Sequence, residues 1–318
     1  MSPVDEMGFR ILGEDLLGRD ITLRRVLGKS GGAKDTTAPT VTITAGSAVA
    51  NVVAMTITFS EAVTGFLVGD ITISGGSLAS FATADNIVFT ADWTLAAGAN
   101  TMDIATGVCT DAAGNNNTAA TQFSITYLTL QPDETAANDT FINNFADTTN
   151  YATNGALRVG RSGAYTYRAL VKFDLSSIPA GSTVLSAILS LYAITDNSTN
   201  AVAFKVHRPL RAWVEDQATW QIYSTGNSWQ TAGGFGALDC EQAAIGSRNF
   251  TDTETLNQFK AWTLTASAIQ AMITGGAFIN NGFLVKTETE ASDNHYQFAS
   301  ASNATAGNRP KFEIVYRP

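Results

Sequence analysis

Few side chains in this 318-residue chain are equipped for acid–base or nucleophilic chemistry: two histidines, His207 and His295, and two cysteines, Cys109 and Cys240. His207 ends Phe204-Lys205-Val206-His207, an alternating strand pattern that reads as a structural or solvent-facing position. His295 follows Asp293-Asn294 in a loop, and no G-x-S-x-G elbow accompanies it. Neither the histidines nor the cysteines have the paired spacing that zinc requires. Glu288 and Glu290, two residues apart, would share one face if the strand runs through them, and two carboxylates about 5–9.5 Å apart can hydrolyse a glycosidic bond. Alternating acids on a solvated strand are the commoner reason for such a pair, so the expectation is a protein without catalysis. Aromatic side chains offer a different chemistry, because a sugar's C–H face stacks on an indole or phenol ring while polar neighbours bond its hydroxyls. Tyr165, Tyr167, Tyr223, Trp229 and Tyr296 lie near loops or strand ends and are the candidates, with core packing as their alternative role.

The elements that must position these residues are strands. Charged residues make up 15% of the chain, below the ~25% usual for soluble proteins. Between Asp35 and Leu130 there are seven acidic residues and no Lys or Arg, so that stretch would repel nucleic acid and anionic membranes. Two cysteines make no disulfide framework and are expected to be free thiols. No apolar run approaches the ~20 residues of a membrane span, and the first thirty residues lack the apolar centre of an export signal.

Composition divides the chain into three. Residues 1–34 carry six basic and five acidic residues, with apolar positions Phe9, Ile11, Leu12, Ile21, Leu23 and Val26, and end in the linker Gly28-Lys29-Ser30-Gly31-Gly32. Its Gly28-Lys29-Ser30 triplet lacks the upstream glycine of a phosphate loop. The expectation is an unstructured tail or an anchoring arm that orders on a partner. Residues 35–130 hold short alternating runs such as Thr40–Thr44, Met55–Phe59, Ile71–Ile73, Ile87–Thr90, Met102–Ile104 and Phe123–Tyr127, spaced as in an immunoglobulin-like sandwich. Residues 131–318 hold strands at Asn138–Ile142, Leu157–Gly160, Tyr167–Leu175, the apolar run up to Leu191, Asn281–Lys286 and Pro310–Tyr316. One short helix is expected at Ala266–Ile273, capped by Thr265 and ended by Gly275-Gly276. The long polar connection 224–252 is of a length that tends to carry binding or docking surface.

Motif order sharpens both regions. Asp35-Thr36-Thr37-Ala38-Pro39-Thr40, Phe59-Ser60-Glu61-Ala62-Val63, Gly69-Asp70-Ile71-Thr72 and Thr110-Asp111-Ala112-Ala113-Gly114-Asn115 together make the first region similar to the bacterial Ig-like repeats of surface adhesins. That resemblance implies Asp35, Asp70 and Asp111 as calcium ligands, although Asp and Asn in turns are often turn formers only. The second region, with Tyr167–Leu191, Trp213-Val214-Glu215, Trp220 and Asn281–Lys286, resembles the disaggregatase-related (DNRLRE) repeat, whose members are extracellular β-sandwiches, some of them polysaccharide-binding. Trp213 and Trp220 then fall on framework core positions, and Glu215 on a structural hydrogen bond. The fold implied is all-β: an Ig-like sandwich followed by a larger jelly-roll-like sandwich.

The main functional reading from sequence is a phage virion decoration or fibre protein. Its arm would dock on capsid or tail proteins, the chain would be oligomeric in the assembly, and a glycan-binding sandwich would face outward. The alternative is a secreted or cell-surface bacterial adhesin module that binds polysaccharide; a third reading is a polysaccharide-degrading enzyme or its accessory module. Calcium is the one cofactor implied, and nucleic acid is excluded as a partner.

Overall fold

In a computed structural model the described residues are 34–133, 138–198, 201–251, 254–273, 276–291 and 293–318. The anchor positions Phe9 to Val26 lie outside them. All strand pairings are antiparallel.

The first region forms seven strands: β1 (Val41–Val49), β2 (Val52–Phe59), β3 (Ile71–Ser74), β4 (Ser77–Thr83), β5 (Val88–Thr94), β6 (Gly98–Ile104) and β7 (Phe123–Leu130). One sheet has the order β1-β2-β5-β4, and β3-β6-β7 make the facing layer. Threonine alternates with apolar residues along β2 and β5, so every second residue points inward. Val53, Met55, Ile57, Phe59, Trp93, Met102 and Ile125 fill the core between the layers. Only β4 escaped the sequence expectation. Its residues Ser77–Thr83 are mostly small and exposed, and the register shift at positive-φ Ser80 puts its two large apolar residues, Leu78 and Phe81, three apart, which leaves no period-two alternation to read.

The second region adds β8 (Asn138–Asn143), β9 (Ala156–Ser162), β10 (Tyr165–Lys172), β11 (Thr183–Ser198), β12 (Val202–His207), β13 (Ile222–Ser224), β14 (Asn227–Ser228), β15 (Gly246–Phe250), β16 (Gln258–Thr263), β17 (Phe283–Thr287), β18 (Asn294–Ala299) and β19 (Lys311–Arg317). Strands β15-β12-β17-β10 with β8 face β9-β18-β11-β19 with β16, and β9 links the two layers. The link turns at Gly160, whose φ is 113° and where a Cβ would lie 2.1 Å from the Asn294 carbonyl oxygen, so only glycine fits. Between the layers lie Leu157, Val171, Phe204, Phe250, Trp262, Phe298 and Phe312.

Along β10, Ala169 and Val171 enter this core while Leu170 packs on the other face with Ile142, Leu284, Trp213, Trp229 and Cys240. The connection after β12 therefore serves as a cover: it brings Trp213, Trp229 and Cys240 over a sheet that is apolar on both sides. The helix α1 spans Ala266–Gln270, shorter than its sequence pattern, with Ile269 buried. Thr265 makes no side-chain cap; its hydroxyl donates instead to the Ile245 carbonyl at 3.1 Å.

The two sandwiches share backbone hydrogen bonds. Strand β7 pairs with the closing strand β19 from Leu130↔Phe312 to Thr126↔Tyr316. The Tyr127 phenol donates to the Glu313 carboxylate, Arg317 lies 4.8 Å over the Phe123 ring, and Val315 enters the first core.

Candidate functional site

Of the five sugar-platform candidates, the structure leaves Tyr165 most open. It begins β10 with 40% of its surface exposed, and beside it stands Phe145 at 65%. Their ring centroids are 4.4 Å apart with planes inclined by 58°. The backbone beneath both rings is fixed by amide side chains. Asn143, at the end of β8, accepts from the N–H groups of Phe145 (3.0 Å) and Ala146 (2.8 Å). Asn144 accepts from the Thr166 N–H at 2.8 Å and donates to the Ala164 carbonyl at 3.4 Å. Across the hairpin, Arg161 donates to the Gly163 and Glu290 carbonyls, both at 2.8 Å. Two exposed rings on a pinned hairpin can receive the apolar face of a planar or pyranose ligand at small ordering cost.

Three of the other candidates present no free ring face. Tyr296 is fully buried, and its hydroxyl bonds Asp196 and the Thr251 carbonyl, both at 2.8 Å. Trp229, 5% exposed, donates its indole N–H to the Thr219 carbonyl at 2.9 Å, and Tyr167 packs against His295 with centroids 4.8 Å apart. Trp229 is enclosed by the connection that covers the outer face of β10, whereas Tyr296 sits in the core between the two layers. Tyr223 is half-buried, with its ring 5.4 Å from that of Trp229 and Arg211 above it. Trp213 is buried as expected, donating to the Asn281 carbonyl at 2.7 Å, whereas Trp220 is half-buried.

The titratable groups are arranged for stability. Arg168 makes a bidentate pair with Glu290 at 2.8 and 2.7 Å, while Glu288 pairs with Lys205 at 3.2 Å. The two glutamates thus serve separate cations. Burial holds His207 and His295 neutral, pushing both down to about 4; the Glu241 carbonyl partly opposes this at His207, and Arg158 reinforces it at His295. Both cysteines are free and buried, and burial pushes the thiols up to about 11 (Cys109) and about 12 (Cys240), which leaves them unreactive.

In the first region the acids that meet are Asp35, Glu61 and Asp111, each offering an oxygen within 4.8 Å of the others, a set that could hold a metal ion. Asp70 is not among them. Its carboxylate accepts from the Leu67 N–H at 2.7 Å and closes a turn. Asp111 accepts from the N–H groups of Asn115 and Ala113, both at 2.8 Å, and these bonds, Asn115 first, hold it below the usual carboxylate range.

The family model of the disaggregatase related repeat domain matches residues 139–314, more than half of the chain. The chain belongs to that family. A bacterial Ig-like domain precedes it, matched over residues 35–127. No curated protein matches the chain. Among solved structures, that of the Yersinia pseudotuberculosis adhesin InvE is similar at 14% identity and a TM-score of 0.20, covering 85% of this chain. The chain spans 61% of that protein's length. Among the described residues, no helix is long and apolar enough to cross a membrane.

Three residues of these two domains were missed by sequence reasoning. Phe145 lies in a polar stretch after β8, where only its neighbours Asn143 and Asn144 signal a rigid turn. Glu61 falls inside the Ig-like motif Phe59–Val63, but its approach to Asp111 is a tertiary contact that spacing does not reveal. Arg168, buried in the disaggregatase-related domain and stacked 4.9 Å over Trp220, sits within an apolar strand run where a charge signals a buried partner.

Proposed function

We propose that the protein is a non-catalytic, extracellular or cell-surface bacterial adhesin module whose disaggregatase-related domain binds polysaccharide. The observation that carries the reading is the exposed Phe145–Tyr165 pair on its pinned hairpin. An exposed aromatic pair costs solubility, and a sugar ring covering it recovers that cost. The bacterial Ig-like match favours the cell-surface setting, with that domain displaying the binding domain. The virion reading draws no support from either family. The acids that could have argued for hydrolysis, Glu288 and Glu290, are engaged by Lys205 and Arg168. Bound calcium at Asp35, Glu61 and Asp111 would stiffen the Ig-like domain.

A glycan array probed with the whole chain, paired with a reducing-sugar assay on the glycans it retains, tests this reading. Retention of at least one polysaccharide without release of sugar is the expected outcome. Turnover of a retained glycan, or no retention across neutral and acidic polymers, would contradict it.

A further inference from the structure

A different part of the disaggregatase-related domain shows two carboxylates that the glycan reading does not use. Asp139, the second residue of β8, is 1% exposed. Its backbone N–H donates to a Glu215 carboxylate oxygen at 2.8 Å, which brings the Glu215 carboxylate up to the Asp139 backbone. Its Oδ2 accepts from the Ala301 N–H at 2.7 Å. Its Oδ1 is enclosed and has no hydrogen-bond partner.

A buried carboxylate oxygen without a partner costs several kcal/mol, and a second acid beside it increases that cost. No Lys, Arg or His pairs with Asp139 among the described residues. The surroundings are rich in oxygen. Asn150 donates to the Glu215 and Ala218 carbonyls at 2.6 and 2.9 Å, and the Ser300 hydroxyl donates to the Asn154 carbonyl at 2.7 Å. Three loops, 150–154, 215–218 and 300–303, are thereby tied together around the start of β8.

We infer that Asp139 and Glu215 form a structural site for a hard divalent cation, calcium in the first place, separate from the acids of the Ig-like domain. Such ions take six to eight oxygens in flexible geometry and accept carboxylates and loop carbonyls together. One cation neutralises both acids at once and supplies Oδ1 with its partner. A proton neutralises Asp139 alone. Burial, with repulsion from Glu215 behind it, works against the bare charged form of Asp139.

The test is thermal melting of the chelator-stripped whole chain with and without millimolar calcium or magnesium. It is run in an Asp111→Asn background so that the Ig-like acids contribute little. The expected result is a calcium-induced rise of roughly 3–6 °C that Asp139→Asn abolishes and Glu215→Gln abolishes or strongly reduces. Without the cation, Asp139→Asn is expected to melt at or above its parent at pH 8, because the orphaned charge is gone; this also shows that the variant folds. A rise that survives Asp139→Asn, or no rise in the Asp111→Asn parent, would overturn the inference.

Discussion

The two sandwiches solve the same packing problem with opposite electrostatics. The Ig-like domain contains no Lys or Arg and fills its core with Val53, Met55, Phe59, Trp93 and Ile125. Most of its acids lie in turns and loops, as Asp70, Asp85 and Asp111 do, and bond backbone N–H groups there. The disaggregatase-related domain covers one sheet on both faces and takes charge pairs into its interior: Arg168 with Glu290, Arg208 with Glu241, Lys260 with Glu254. A neutral core asks only for shape, whereas enclosed ion pairs ask for every partner to be present. The second domain is therefore the one whose stability answers to pH and to single charge deletions. It is also the one that carries an exposed aromatic pair.

The comparison breaks most readily at Arg168. Its replacement by alanine leaves Glu290 only the longer Lys286 contact at 3.9 Å and removes the bond to the Gly233 carbonyl, so a loss of about 3–5 kcal/mol is expected in denaturant titration. A loss below about 1 kcal/mol would place this pair with ordinary surface ion pairs.

Acid should come next. Both histidines lie in the second domain, and their folded values near 4 sit below the unfolded 6.5. The unfolded chain then binds more protons between those limits, so stability is complete above about pH 6.5 and falls as pH drops toward 4. The loss is on the order of 3 kcal/mol for each histidine. Unfolding free energies at pH 7 and pH 4.5 measure it, and His207→Gln or His295→Gln should flatten the slope. An unchanged slope in both variants would show that the rings are accessible to water.

A smaller effect lies where the domains meet. Tyr127→Phe removes the bond to Glu313 across the β7–β19 pairing, at a cost of about 1.5–3 kcal/mol. Calorimetry should still show a single transition, since β19 belongs to both cores through Val315 and Phe312. Two resolved transitions in the unmodified chain would mean that the shared strand does not couple them.

Most of the sheet content was legible because alternation is local: Met55–Phe59 or Phe123–Tyr127 reads the same in isolation as in the fold. The pairing of β7 with β19 was not, since nothing near Leu130 announces a partner at Phe312. The aromatic candidates show a similar divide. Tyr165 opens a strand and stays exposed, whereas Tyr167, Trp229 and Tyr296 read the same way in sequence and are enclosed by the cover over β10 and the core behind β18. Among the acids, the Ig-like motif pointed to Asp35 and Asp111. It named Asp70 where folding brings Glu61, because two loops converge there from distant parts of the chain.

The central claim is that the protein holds a glycan on the Phe145–Tyr165 face. Calorimetric titration of an array-identified polysaccharide into the intact chain and into Tyr165→Ala and Phe145→Ala, each checked for an unchanged melting temperature, tests it most directly. A loss of affinity of about tenfold or more in each variant is expected, in keeping with about 1–2 kcal/mol for a stacked ring. Equal affinity in all three proteins would contradict the account and move the binding face elsewhere.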